Sequence, residues 1–395
     1  MCDKFSIKSA VIIVAFFLAA IINVSAQQRV WTESKTGNII NAEFVKLEEK
    51  MVTLKLSNGK IVKIDPDRFS QIDINYIDNI IKQRNAIGDG SLLGNVDVPE
   101  AESVMREILP RRDNVWKYRT RHFVIESPKP LSDSAQKIVG KAFEVTWEAL
   151  RAVPLPTRVK RIDSTFKATL ILNYDDYLAR GGEKVNIPGR VPEAWYSPGE
   201  DVTYVCFDDV GLNHNGDLKA GNQQVEQSII IHEVTHQLTK GCYNPNVTWI
   251  CEGLACYVGY IPYDGKQLNF GKVLDKIRAL YHQPIKISTT FKDFLNYDYG
   301  EFHGSEESAL HYRASHLLVA YFIHLDGKDG ASRLAKYLEE SPKKDSDNPP
   351  KDRDGHAKGF DELLQGRDIN ALESSFVEAW KKRGVVITFG SSGKW

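Results

Sequence analysis

Paired cysteines are missing from this chain. Its 395 residues include five cysteines, and no two of them stand in the C-x-x-C spacing that holds a structural zinc ion. Excess charge is missing as well. Fifty-one Lys and Arg against 52 Asp and Glu leave a net charge of −1, so neither nucleic acid nor an anionic membrane surface is an indicated partner. No internal repeat is visible, so an array of stacked units is not indicated. Long apolar runs are confined to the N-terminus, where residues 10–22 are apolar. That run is shorter than the roughly 20 residues needed to span a bilayer. Lys4 and Lys8 precede it, and Val24-Ser25-Ala26 closes it in a small-x-small pattern. These are the marks of a secretory signal peptide over residues 1–26, cut after Ala26, with an uncleaved anchor as the alternative. Cys2 precedes the run and is not a lipoprotein cysteine. The mature protein is expected to be soluble and secreted, or held in the periplasm or cell envelope, with no integral membrane segment.

Four cysteines remain after Ala26: Cys206, Cys242, Cys251 and Cys256. Export permits disulfides, and four cysteines allow three pairings that sequence does not separate. A Cys242–Cys251 bridge would staple one loop, while buried thiols are the equal alternative.

The remaining length suffices for two or three domains. Residues 29–77 alternate as β-strands, with Asn58-Gly59 as a hairpin turn. Arg29-Val30-Trp31-Thr32, Ala42-Glu43-Phe44, Val52-Thr53-Leu54, Asn58-Gly59-Lys60 and Arg68-Phe69-Ser70, with Asp73 and Tyr76, resemble the SLA-type homology domain. That resemblance implies a small SH3-like β-barrel over 27–80, a module that binds a peptide or protein ligand elsewhere. Residues 81–112 are expected to connect, with a short helix over 99–109. From residue 113 to 386 a second domain is expected. Its strands are placed at 121–126, 168–172, 194–196 and 202–207, with a helix over 132–153 and a short one over 174–180. Further helices are placed at 270–282, 290–297, 305–325, 330–339 and 368–383. Residues 341–358 are polar and proline-bearing and read as a loop, and 387–395 as a tail.

The chemistry lies in Ile229-Ile230-Ile231-His232-Glu233-Val234-Thr235-His236. Helical periodicity puts positions four apart on one face, so His232 and His236 can aim two imidazoles at one ion. Glu233 lies beside the first, within reach of a water on that ion. Gly241 and Pro245 end this helix. A second run, Trp249-Ile250-Cys251-Glu252-Gly253-Leu254-Ala255, offers Glu252 sixteen positions after His236. Gly253 would permit a close helix approach.

His-Glu-x-x-His followed by Trp-x-x-Glu-Gly-x-Ala resembles the gluzincin metallopeptidases of the thermolysin-like clan. The resemblance implies an α+β, zincin-like metallopeptidase domain, with a small β-sheet layer and a mostly helical C-terminal part. It makes His232, His236 and Glu252 ligands of one catalytic Zn2+, and Glu233 the general base. Clan members also carry a Tyr or His on a late helix as oxyanion donor. Tyr312 fits best and His311 second, while His311 and His316, five apart, share no face. In some members a carboxylate stands one turn after the third ligand, where this chain has Cys256. The spacer before Glu252 is shorter than in the aminopeptidases, and their Gly-x-Met-Glu-Asn motif is absent. An antiparallel edge strand beside the metal is expected, and residues 202–207 are the candidate, with a core strand as the alternative. The expected activity is endopeptidase cleavage of a protein or peptide. The alternatives are a zinc-holding envelope adaptor and an amidase acting on a cell-wall polymer.

Overall fold

Alternation of apolar and polar residues over 39–64 demands a sheet with one packed face, and such a sheet forms. The computed structural model describes residues 28–48, 51–56, 58–70, 73–74, 76–77, 94–99, 105–108, 115–160, 165–179, 193–208, 210–219, 227–242, 247–340 and 360–390. The expected signal peptide and the 341–358 loop lie outside them. Two compact units divide the chain: residues 1–79 with 160–163, and the remainder.

In the first unit, β1 (Gln28–Thr32), β2 (Ile39–Glu48), β3 (Met51–Leu56) and β4 (Ile61–Ile64) form a curled antiparallel sheet in sequence order. Gly59 supplies the left-handed φ of 82° at the β3–β4 turn. Trp31, Ala42, Phe44, Val52 and Leu54 make the packed face. Trp31 Nε1 donates to the Ala42 carbonyl at 2.8 Å, which satisfies the indole inside the core. Arg29 pairs with Asp73 at 2.7 Å and lies 4.0 Å from the Tyr76 ring centroid. Those contacts give physical content to the Arg, Asp and Tyr of the motif: one cation is neutralised, stacked and shielded.

The second unit is mixed α and β. Its strands are β5 (Asn95–Asp97), β6 (Arg106–Glu107), β7 (Trp116–Arg119), β8 (Phe123–Ser127), β9 (Phe166–Ile171), β10 (Ala194–Ser197), β11 (Val202–Cys206), β12 (Gln267–Asn269), β13 (Ile285–Lys286) and β14 (Ile387–Thr388). Six form one sheet in the order β10-β11-β9-β8-β7-β6. Helix α1 (Asp133–Ala152), capped by Ser132, links the parallel pair β8 and β9 and buries Val139, Phe143 and Leu150. The other helices are α2 (Tyr174–Ala179), α3 (Gln227–Thr239), α4 (Thr248–Gly259), α5 (Val273–Leu280), α6 (Phe291–Leu295), α7 (Tyr299–His303), α8 (Ser308–His324), α9 (Gly330–Glu340), α10 (Phe360–Leu364) and α11 (Ile369–Lys381).

Several expectations are corrected here. The strand expected at the sheet edge, residues 202–207, lies inside the sheet between β10 and β9, and the edge belongs to β10. Thr203 and Val205 are buried on one face, while Val202 and Tyr204 on the other are half-buried. The connecting segment contributes structure: β5 pairs with β12, and β6 joins the sheet through β7. Where the described residues overlap the helix expected over 99–109, they hold strand β6 instead. Ile387 and Thr388, expected in a tail, pair with Ile285 and Lys286, and Ile387 is buried. Helix α7 lies between the helices that periodicity places at 290–297 and 305–325. A capping box between Asp298 and Glu301 starts it. Cys206, Cys242, Cys251 and Cys256 carry thiols, and no disulfide joins them. No helix among the described residues is long and apolar enough to cross a membrane.

Gly253 does permit a close approach, but to α8. A Cβ there would stand 2.5 Å from the Ser315 carbonyl oxygen and 2.9 Å from Val319 Cγ2. The backbone oxygen cannot step aside like a side-chain tip, so overpacking outweighs the roughly 1 kcal/mol of helix propensity that alanine adds. Gly253→Ala is expected to lower stability by about 1–3 kcal/mol, read as an earlier midpoint in denaturant unfolding. An unchanged midpoint would mean that α4 and α8 tolerate wider spacing.

Candidate metal centre

Helix α3 has two faces with different partners. Ile230, Ile231, Val234 and Leu238 are buried in the core of the larger unit. The opposite face carries His232, Glu233 and His236, all half-buried. After Gly241, in a left-handed turn at φ 67°, the chain returns as α4 and presents Glu252 from a buried position.

Three donor atoms converge. His232 Nε2 lies 3.1 Å from Glu252 Oε2 and 3.2 Å from His236 Nε2, and His236 Nε2 lies 3.5 Å from Glu252 Oε2. An ion with tetrahedral bonds of about 2.0–2.1 Å keeps its ligand atoms about 3.3–3.4 Å apart. The observed triangle has that size. Two imidazoles and one carboxylate are also a donor set suited to zinc, and among the described residues this is the group able to hold a metal ion. Cys251, next to Glu252 in the chain, stays out of it, and burial pushes its thiol up to about 12.

The charges support one another. Burial alone would raise the Glu252 carboxyl, but His236, His232 and His303 outweigh it and hold the group well below the usual carboxylate range. Burial opposes a charged His232, yet contacts to Cys256 and Glu252 hold this imidazole well above its ordinary value. Glu233 moves the other way. Burial pushes its carboxyl up, against the pull of His232 and His236. Its Oε2 accepts the Tyr196 backbone N–H at 3.0 Å, which ties it to the edge strand β10.

Behind the triangle, Cys256 occupies the position one turn after Glu252 and sets its Sγ 4.0 Å from His232 Nδ1. A thiol there is a weak acceptor for that N–H. His303, on the unforeseen helix α7, is the residue that motif reading missed. It is buried, and its Nε2 lies 3.5 Å from Glu252 Oε1 and makes no hydrogen bond. Its Nδ1 is 3.3 Å from the Tyr312 hydroxyl. The signal available in sequence was the Asp298-x-x-Glu301 box just before Phe302-His303. Loss of a group that orients a metal ligand costs about 10–100-fold in affinity. For a zinc ion held by this triangle, His303→Ala is therefore expected to weaken binding by that factor, measured against a competing chelator. Unchanged affinity would leave His303 a packing role only.

Tyr312 lies beside the cluster, its ring 6.0 Å from that of His232. Burial raises its phenol above the ordinary value, so it keeps its proton. His311, the second choice, is buried in the core, where Nδ1 donates to the Phe302 carbonyl at 2.9 Å. His316 is buried as well and contacts the Tyr281 hydroxyl at 2.9 Å. A cleft of about 730 Å³ opens onto His232 and Glu233, with Ala194, Cys256 and Tyr312 in its walls.

Comparison with known proteins reaches the first unit. Residues 24–85 match the model of SLA1 homology domain 1, SHD1. The SHD1 match includes Arg29, Trp31, Asp73 and Tyr76, whose contacts hold the curled sheet together. It stops well before α3, so the candidate metal centre rests on its own geometry. No curated protein matches the chain.

Proposed function

We propose that the larger unit is a zincin-like, zinc-dependent endopeptidase of gluzincin type, exported through its signal peptide, with the SHD1 segment as a small SH3-like barrel for a peptide or protein ligand. The observation that carries this reading is the donor triangle of 3.1, 3.2 and 3.5 Å with the Glu233 carboxylate beside it. His232, His236 and Glu252 would hold the ion. Bound zinc supplies Lewis acidity, which activates water and polarises a carbonyl at neutral pH.

The chain's own groups do the rest. Glu233 accepts a proton from the attacking water as its oxygen bonds to the carbonyl carbon, and returns the proton to the amine as the C–N bond breaks. Tyr196 N–H fixes the rotamer of that base. Tyr312 keeps its phenolic proton and donates it as a hydrogen bond to the oxyanion. Strand β10 orders the peptide. The Glu193 carbonyl accepts from Cys206 N–H, and the Tyr196 N–H points outward to Glu233, which sets the phase of the strand. The main-chain groups of Ala194 therefore face the cleft, where an extended substrate can add as a further strand.

The test is zinc content and cleavage of an unstructured protein by the purified full chain. The expected result is one zinc per chain and peptide-bond cleavage that a chelator stops and zinc restores. A chain that binds no zinc would overturn the reading. Zinc without cleavage would indicate a zinc-holding adaptor, and activity confined to cell-wall fragments an amidase.

A further inference from the structure

The cleft beside the metal centre has a basic wall that the proposed hydrolysis does not use. Arg313 follows Tyr312 on α8 and lines the cleft, yet it forms no ion pair or hydrogen bond among the described residues. Ala309, one turn earlier on the same helix, also lines the cleft and leaves room for the arginine stem. Among the described residues the acids that line the cleft are Glu193, beside β10, and Glu233, on α3. Neither neutralises this guanidinium. A cation left unpaired in a cleft wall is an anion receptor, because a guanidinium presents a planar fork matched to a carboxylate.

A second donor lies close by. Tyr281 lines the same cleft, and its hydroxyl lies 2.9 Å from Nδ1 of the buried His316. Nε2 of His316 is buried with no hydrogen-bond partner. A proton on Nε2 would be an orphaned donor in the core, which costs more than an unused lone pair. The favoured tautomer therefore carries its proton on Nδ1 and donates it to the Tyr281 oxygen. That leaves the Tyr281 O–H to point elsewhere, into the cleft. Tyr260, stacked on His316 with ring planes 13° apart, fixes the imidazole and lines the same wall. The tyrosine is thus held as a donor beside the guanidinium, and both can bond one carboxylate.

We infer that Arg313 and Tyr281 form a carboxylate subsite, so that the preferred peptide carries an acidic side chain, or its own C-terminal carboxylate, a short distance from the cleaved bond. This rests on the endopeptidase reading, and the experiment separates the two. Matched peptides that differ only by Glu against Gln, scanned across the positions flanking the cut, and by free against amidated C-terminus, are cleaved by the zinc-loaded full chain. One position, or the free terminus, is expected to raise kcat/KM by about 10-fold or more over its neutral counterpart, mainly through KM. Arg313→Gln should erase that difference, and Arg313→Glu should turn the preference toward Lys at the same position. Cleavage with no acidic preference, or a preference that survives in Arg313→Gln, overturns the subsite and spares the endopeptidase reading. The same peptides are titrated by fluorescence anisotropy onto Glu233→Gln, which separates binding from turnover. Tighter binding of the acidic peptide, lost when Arg313→Gln is added, supports the subsite even if the native chain cleaves nothing. Equal binding of both peptides overturns it.

Discussion

Glu233→Gln is expected to bind zinc as the native chain does and to lose about 10²–10⁴-fold in kcat. The side chain stands outside the donor triangle, so the metal loses no ligand. An amide oxygen can still accept the Tyr196 N–H that Glu233 Oε2 now takes at 3.0 Å, and the edge strand keeps its anchor. What disappears is basicity. A glutamine cannot take the water's proton, and it cannot return one to the leaving amine. Burial sharpens the contrast: a carboxyl that burial pushes up is a more willing proton acceptor than an ordinary surface glutamate. The measurement is zinc content by elemental analysis beside single-turnover cleavage. Retained zinc with retained cleavage would assign the base to another residue. Lost zinc would mean that Glu233 holds the ion, contrary to its place beside the triangle.

The parts of this site legible in sequence are those that one element specifies by itself. Helical repeat alone brings His232 and His236 to one face, and the isoleucines before them place that helix in a core. Glu252 was legible because a turn and a second helix follow at short range. His303 was not. Its contact with Glu252 spans fifty-one positions, and it sits on a five-residue helix too short for periodicity to announce. The edge strand shows a different limit. Ala194-Trp195-Tyr196-Ser197 and Val202-Thr203-Tyr204-Val205-Cys206 both read as strands, but which of them is outermost depends on pairing with Phe166–Ile171, a non-local choice. Strands of two or three residues such as Asn95–Asp97, Arg106–Glu107 and Ile387–Thr388 carry no detectable alternation, so in sequence they look the same as linker and tail. In the first unit nearly every strand was legible, because hairpins pair neighbours and the Asn58-Gly59 turn sets their register.

The remaining test with a large expected effect strikes the triangle itself. Glu252→Gln removes the carboxylate charge that lies within ion-pair distance of His232, His236 and His303. Zinc in a four-ligand site is bound with about 10–16 kcal/mol. Losing one of the four ligands therefore costs about 2.5–4 kcal/mol, which at 1.4 kcal/mol per decade is roughly 10²–10³-fold in affinity. The amide oxygen retains a weak donor at the same place, so some binding persists, whereas Glu252→Ala removes even that. The fold should suffer less than the metal site in the glutamine variant. Without the carboxylate, His232 loses one of the two hydrogen-bonded contacts that hold it charged against burial, and its imidazole shifts back toward the neutral form that the site can bury. Competition with a chromophoric chelator gives the affinity, and denaturant unfolding at saturating chelator gives the stability of the metal-free chain. A large loss of affinity with little change in that stability fits a carboxylate placed for the ion. If instead the metal-free chain unfolds several kcal/mol earlier while zinc still binds tightly, Glu252 would be a buried counter-ion for the histidines, and the ion's third ligand would have to be sought elsewhere.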